Sequence, residues 1–172
     1  MTYQPPISDY GFLLRDVLAI ERHADLPAFA NASMDVVDQV LEEAGRFSAG
    51  VLAPLNRTGD RDGCSWRQDF TVSTPAGFRE AYAQLVEAGW PALGADPDYG
   101  GQGLPSVVSI AFSEMSSGAN MAFAMYPGLT HGAYSAIRNG GSQAQKEHQV
   151  TAQRVKFHDR VPLWFVAPQL EI

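Results

Sequence analysis

Several kinds of protein are excluded by what this 172-residue chain has little of. Its one cysteine, Cys64, allows neither an internal disulfide nor a multi-cysteine zinc site, and it suits a reducing compartment. There are two lysines, Lys146 and Lys156, and no stripe of arginines to replace the rest, so the cationic footprint that neutralises phosphates is missing and no nucleic-acid partner is expected. No run nears the ~18 consecutive apolar residues that suggest a membrane span. The opening Met1-Thr2-Tyr3-Gln4-Pro5-Pro6 has no basic region and no apolar region of a secretory leader. No membrane span is expected, and the expected compartment is cytoplasmic. Alternation of apolar and polar residues, the mark of a half-buried strand, nowhere persists beyond four residues before position 150.

What is present suits a globular domain with a core: 45% hydrophobic and 18% charged residues, with 16 Gly and 11 Pro, fit neither a disordered nor a fibrous chain. The net charge of −7 is unevenly placed. Residues 1–145 hold 8 basic against 16 acidic side chains, whereas 146–172 hold 4 against 3. A stretch of different character therefore begins near 146.

Helical spacing accounts for most of the chain. Residues 8–22 read as a helix capped by Ser8, with Phe12, Leu13, Val17, Leu18 and Ile20 at three- and four-residue steps. The next opens at Ser33, carries Val36, Val37, Val40, Leu41, Ala44, Phe47 and Val51 on a broad face, and is expected to end near Pro54. A polar loop is expected over 56–72. Thr74-Pro75 reads as a helix start, Phe78, Tyr82, Leu85 and Val86 as the buried stripe, and Gly89 as a left-handed C-terminal glycine. The Pro- and Gly-rich stretch 91–104 reads as loop. Pro105-Ser106 opens an apolar helix that Gly118 is expected to interrupt; Pro127-Gly128 break the following segment, and a short helix covers Leu129–Ile137. Ser142-Gln-Ala-Gln145 is a capping box. The expected fold class is all-α, with about six helices around one core.

Few motifs carry chemistry. Thr58-Gly-Asp60-Arg-Asp62-Gly63, with Asp69 twelfth, loosely follows a calcium loop, but the first and last ligands are wrong and a turn-rich loop fits better. Gly100-Gly-Gln-Gly103 lacks the preceding strand and third glycine of a dinucleotide fingerprint and reads as a tight connection. The histidines at 23, 131, 148 and 158 have no metal-ligand spacing, so no metal is expected. No catalytic constellation follows from spacing. In 118–137, small residues alternate with Met121, Phe123, Met125, Tyr126 and Leu129. Two readings stand side by side: close helix packing, or a groove hollowed by small residues and lined by soft ones for an apolar ligand.

Ordered blocks add a resemblance. Leu85-Val-Glu-Ala-Gly-Trp90, Tyr99-Gly-Gly-Gln-Gly-Leu-Pro105, Glu114-Met-Ser-Ser-Gly-Ala-Asn120 and Tyr126-Pro-Gly-Leu-Thr-His-Gly-Ala133 resemble the N-terminal helical domain of acyl-CoA dehydrogenases. Tyr3-Gln-Pro-Pro-Ile-Ser-Asp9, Ala53-Pro-Leu-Asn-Arg-Thr-Gly-Asp60 and Val72-Ser-Thr-Pro-Ala-Gly-Phe-Arg-Glu-Ala-Tyr82 look like the long-form branch that includes 3-methylmercaptopropionyl-CoA dehydrogenases. The resemblance implies α,β-desaturation of an acyl-CoA thioester, with a glutamate removing the α-proton and FAD taking the β-hydrogen as hydride. It implies an acyl-CoA substrate whose chain meets Phe123, Ala124, Pro127, Gly128 and His131. By the same resemblance the flavin and the base belong to later domains.

The resemblance divides the chain into an N-terminal extension helix (1–32), the domain proper (33–147) and an atypical tail (148–172), out of frame or disordered. After Glu147 the family pattern gives way to His148-Gln-Val-Thr-Ala-Gln-Arg-Val-Lys-Phe-His158. The flavin-binding and base-bearing domains are therefore expected to be absent, FAD is not expected to be retained by this chain alone, and the isolated chain is expected to be inactive. The alternative is a non-catalytic helical module whose apolar run 161–168 binds a partner protein, with a homo-oligomer or a chain carrying the missing domains as the partners to test.

Overall fold

Where a helix starts depends on which side chain can satisfy the first free amides, and Ser33 does so for the most clearly amphipathic segment: its hydroxyl accepts from the Val36 amide. The computed structural model describes residues 3–147; the tail and its apolar run 161–168 lie outside the described residues. The described chain is all-α apart from one small hairpin.

Helix α1 spans Ile7–Phe12 and continues as a π turn over Leu13–Val17. It stops short of the expected 22 because Ala19 turns the chain in the left-handed region (φ 47°) before a 3₁₀ turn, Ile20–His23. Of the expected stripe only Ile20 is buried, together with Leu14; Phe12, Leu13, Val17 and Leu18 face outward.

Helix α2, Met34–Phe47, buries Met34, Val37, Leu41, Ala44 and Phe47. It does not end at Pro54. A π turn, Ser48–Leu52, leads straight into helix α3, Ala53–Asp62, and Pro54 falls in its first turn, where proline is tolerated. The expected polar loop 56–72 is thus helix as far as Asp62. An antiparallel hairpin follows, β1 (Ser65–Trp66) on β2 (Val72–Ser73), with Trp66 opposite Val72.

Helix α4, Phe78–Glu87, starts after Gly77 (φ 86°) rather than at Thr74-Pro75, and Gly89 (φ 77°) ends it as the sequence indicates. Helix α5, Ser106–Gly140, dominates the domain. Its one non-helical residue is Asn120 (φ −158°, ψ 90°). Gly118 does not interrupt it: the Tyr3 ring lies over this glycine, 3.1 Å from where a Cβ would stand. Pro127 also stays inside the helix. Helix α6, Gln143–Gln145, opens with the expected capping box, both bonds made.

Two apolar clusters form the core. The first joins Leu14, Ile20, Val37 and Leu41 to Val108 and Met115 on the first half of α5. The second joins Phe47, Leu52, Phe78 and Leu85 to Ala119 and Phe123 around the break. Trp90 and Phe112 pack against both and stack on each other at 4.3 Å, with planes 11° apart.

Candidate functional site

The five positions singled out on α5 do not share one face. Phe123 turns inward: it is fully buried, with the rings of Phe78 and Tyr126 both at 5.9 Å and that of Tyr82 at 6.4 Å. Ala124 and Pro127 are half-buried, while Gly128 and His131 lie open to solvent. The last four therefore grade from the edge of the core to its outer surface, and Phe123 supports them from beneath. The His131 ring lies 6.4 Å from that of Tyr134.

On the outer side, Met121, Met125 and Leu129 are exposed, Met125 by 67%, and nothing stands within 4 Å of where a Cβ would sit at Gly128 or Gly132. The result is an apolar ledge with open space above its glycines, and no carboxylate lies in the sequence from 121 to 137. Such a surface can meet an alkyl chain by burial of apolar area. None of residues 121–137 carries a carboxylate that could act as a general base.

The ledge is held at both ends by polar groups that spacing did not single out. At its start, the Asn120 amide nitrogen donates to the Leu52 carbonyl (3.2 Å) and its oxygen accepts from the Phe123 amide (3.0 Å). Near its end, the Asp96 amide donates to the Tyr134 hydroxyl (2.8 Å) and the Asp96 carboxylate receives Arg138 (3.3 Å). The visible signal was an asparagine inside an apolar segment, which when buried needs partners. Burial raises the phenol pKa of Tyr82, and it raises that of Tyr126 as well, with the Cys64 thiol adding a smaller push.

The glycine-rich loop bonds to its own surroundings. The Gly101 amide donates to Asp96, Gln102 to Ala92, Gly103 to Ala95 and Leu104 to Leu93, so these amides are not free to cradle a phosphate. Gly101 is there for close approach, since a Cβ would strike the Ala95 backbone. The calcium-like stretch is also otherwise engaged: Asp60 and Asp62 ride on α3, and the Asp69 carboxylate accepts from the Thr71 amide and hydroxyl, which holds its pKa below the usual range. A shallow open depression of about 340 Å³ lies at the far end of α5, lined by Ala136, Ile137, Gly140, Gly141 and Gln145, away from the ledge. No helix among the described residues is long and apolar enough to cross a membrane.

An all-helical domain built around one long broken helix with an apolar outer ledge is thereby defined, and comparison places it. The family described as acyl-CoA dehydrogenase, N-terminal domain, matches residues 34–152, and the chain belongs to that family. It is 37% identical over 146 residues to a 3-methylmercaptopropionyl-CoA dehydrogenase of Ruegeria pomeroyi, covering 85% of this chain and 25% of the relative. It is 29% identical over 151 residues to a broad-specificity linear acyl-CoA dehydrogenase of Mycobacterium tuberculosis, covering 87% of this chain and 24% of the relative. The chain thus spans about a quarter of the length of these relatives.

Acyl-CoA dehydrogenases use FAD, but the described residues do not by themselves fit it. The buried side-chain polar atoms left without a partner, the hydroxyls of Ser48, Ser109 and Ser116, belong to side chains within the helical packing and not to the ledge. Four of the eight arginines among the described residues, Arg15, Arg46, Arg61 and Arg138, are paired with carboxylates, and the glycine-rich amides are engaged.

Proposed function

We propose that residues 33–147 form the N-terminal helical domain of an FAD-dependent acyl-CoA dehydrogenase, with residues 1–32 as an extension and 148–172 as an atypical tail, and that α5 supplies the wall against which the acyl chain of an acyl-CoA thioester lies. The observation that carries this reading is the ledge itself: exposed Met121, Met125 and Leu129 beside open space at Gly128 and Gly132, in a domain of this family. Ala124, Pro127, Gly128 and His131 border the acyl chain, and Phe123 sets the floor. The family's chemistry, removal of an α-proton and transfer of a β-hydrogen to FAD, requires a base and a flavin site that the described residues do not hold. On this reading the isolated chain is inactive and its compartment is the cytoplasm.

Purified full chain tests this directly. An absorbance scan should show no flavin band, and acyl-CoA with added FAD and an electron acceptor should not turn over; a flavin band with turnover overturns the inactivity. Calorimetric titration with acyl-CoAs of increasing length should show affinity rising above that of free CoA, because each buried methylene contributes about 0.8 kcal/mol. Equal affinity for CoA and every acyl-CoA overturns the wall. Gly128→Leu should weaken the longer chains while leaving the fold intact, since leucine gains about 0.5–1 kcal/mol of helix propensity over glycine at an open position.

A further inference from the structure

We propose that Asn120 is the positioning residue of the wall: its carboxamide fixes the direction in which residues 121–133 leave the core. The functional meaning rests on the acyl-wall reading, whereas the geometry stands without it.

Asn120 is 1% exposed, and both halves of its amide are used. The donor half reaches the carbonyl of Leu52, which is itself fully buried at the end of the π turn between α2 and α3. The acceptor half takes the amide of Phe123, capping the second half of α5 as an N-terminal residue caps a helix. Asn120 thus ties the restarted helix to a fixed point on another element, and Phe123, locked among Phe78, Tyr82 and Tyr126, is the first residue whose direction it sets.

The surrounding sequence does not demand a break. Met115, Ala119, Met121, Ala122 and Ala124 all suit a continuous helix, and Gly118 is helical here. Without the clasp, an unbroken helix through 120 changes the axis and phase of everything beyond it, carrying Met125, Gly128 and Leu129 away from their present setting. Few side chains can replace the amide. Serine keeps a cap on Phe123 but cannot also reach Leu52; aspartate keeps the cap and sets a carboxylate against the Leu52 carbonyl in a dry site; alanine loses both bonds.

The test is a distance. In the full chain with Cys64→Ser, spin labels are attached through Glu43→Cys, exposed on α2, and Gly128→Cys, open on the ledge. Pulsed electron resonance should give one narrow distance with Asn120 intact. A shifted or broadened distribution is expected in Asn120→Ala, and a smaller shift in Asn120→Ser, which serves as the readout should the alanine variant fail to show native helix content by circular dichroism. An unchanged distance in a folded variant overturns the proposal. Titration with acyl-CoAs runs in parallel. In the folded variant the best-bound acyl length should lose about tenfold relative to free CoA, as when an apolar contact is withdrawn from the chain. If the unlabelled parent shows no dependence on acyl length, the acyl-wall reading fails, and the distance still decides what Asn120 does.

Discussion

At the scale of single residues, neighbours on α5 have opposite energetic roles. Phe123 fills the space between Phe78, Tyr82 and Tyr126, so Phe123→Ala should lower stability by about 3–5 kcal/mol. His131, exposed eight residues on, should tolerate alanine within about 0.5 kcal/mol. Denaturant unfolding of the two variants checks the contrast, and equal losses would mean that the inward and outward faces are misassigned. The sequence could place both residues on a helix. It could not say which faced inward, because the extended backbone at Asn120 resets the phase of everything after it, and that break depends on a carbonyl 68 residues away. Ser33, Gly89 and Ser142 were legible because a cap acts over three or four residues and needs no distant partner.

At the scale of elements, proline misled in two places: Pro54 does not end a helix, and Pro127-Gly128 do not break one. Pro54 reads as a stop, yet the π turn ahead of it delivers the chain with Pro54 already in a first turn, so α3 forms where a loop was expected. Hydrophobic spacing tuned to an α-helix loses its phase across such a turn, since one extra residue rotates the next face by about 100°. Pro127 is different: seven residues past Asn120 it sits in the helix interior and forfeits a backbone bond. Pro127→Ala should therefore stabilise the domain by roughly 1–3 kcal/mol, read as a rise in Tm. A fall would show that the proline's shape is needed for packing against the half-buried edge.

At the scale of the whole molecule, the tyrosines set an alkaline limit. Burial, and then the hydrogen bond and charge of Glu114, push the Tyr10 phenol from 10.0 to about 12, and Tyr3, Tyr82 and Tyr126 are also raised. Between those values the unfolded chain releases the Tyr10 proton while the folded chain keeps it. Its contribution to stability is thus complete below pH 10 and lost as pH rises through about 12. Unfolding followed against pH should steepen in that window, and Tyr10→Phe should flatten it; an unchanged profile would show that Tyr10 is not the group responsible. The two apolar clusters bear on a separate property, cooperativity. Trp90 and Phe112 pack against both, and Phe47 of the second cluster lies against each of their rings, so this aromatic group is expected to couple the melting of the two. Replacing Phe112 with alanine should split a single calorimetric transition into two, the α2 side and the α3–α4 side opening as separate units. The stack then acts as the joint through which either half senses whether the other is folded.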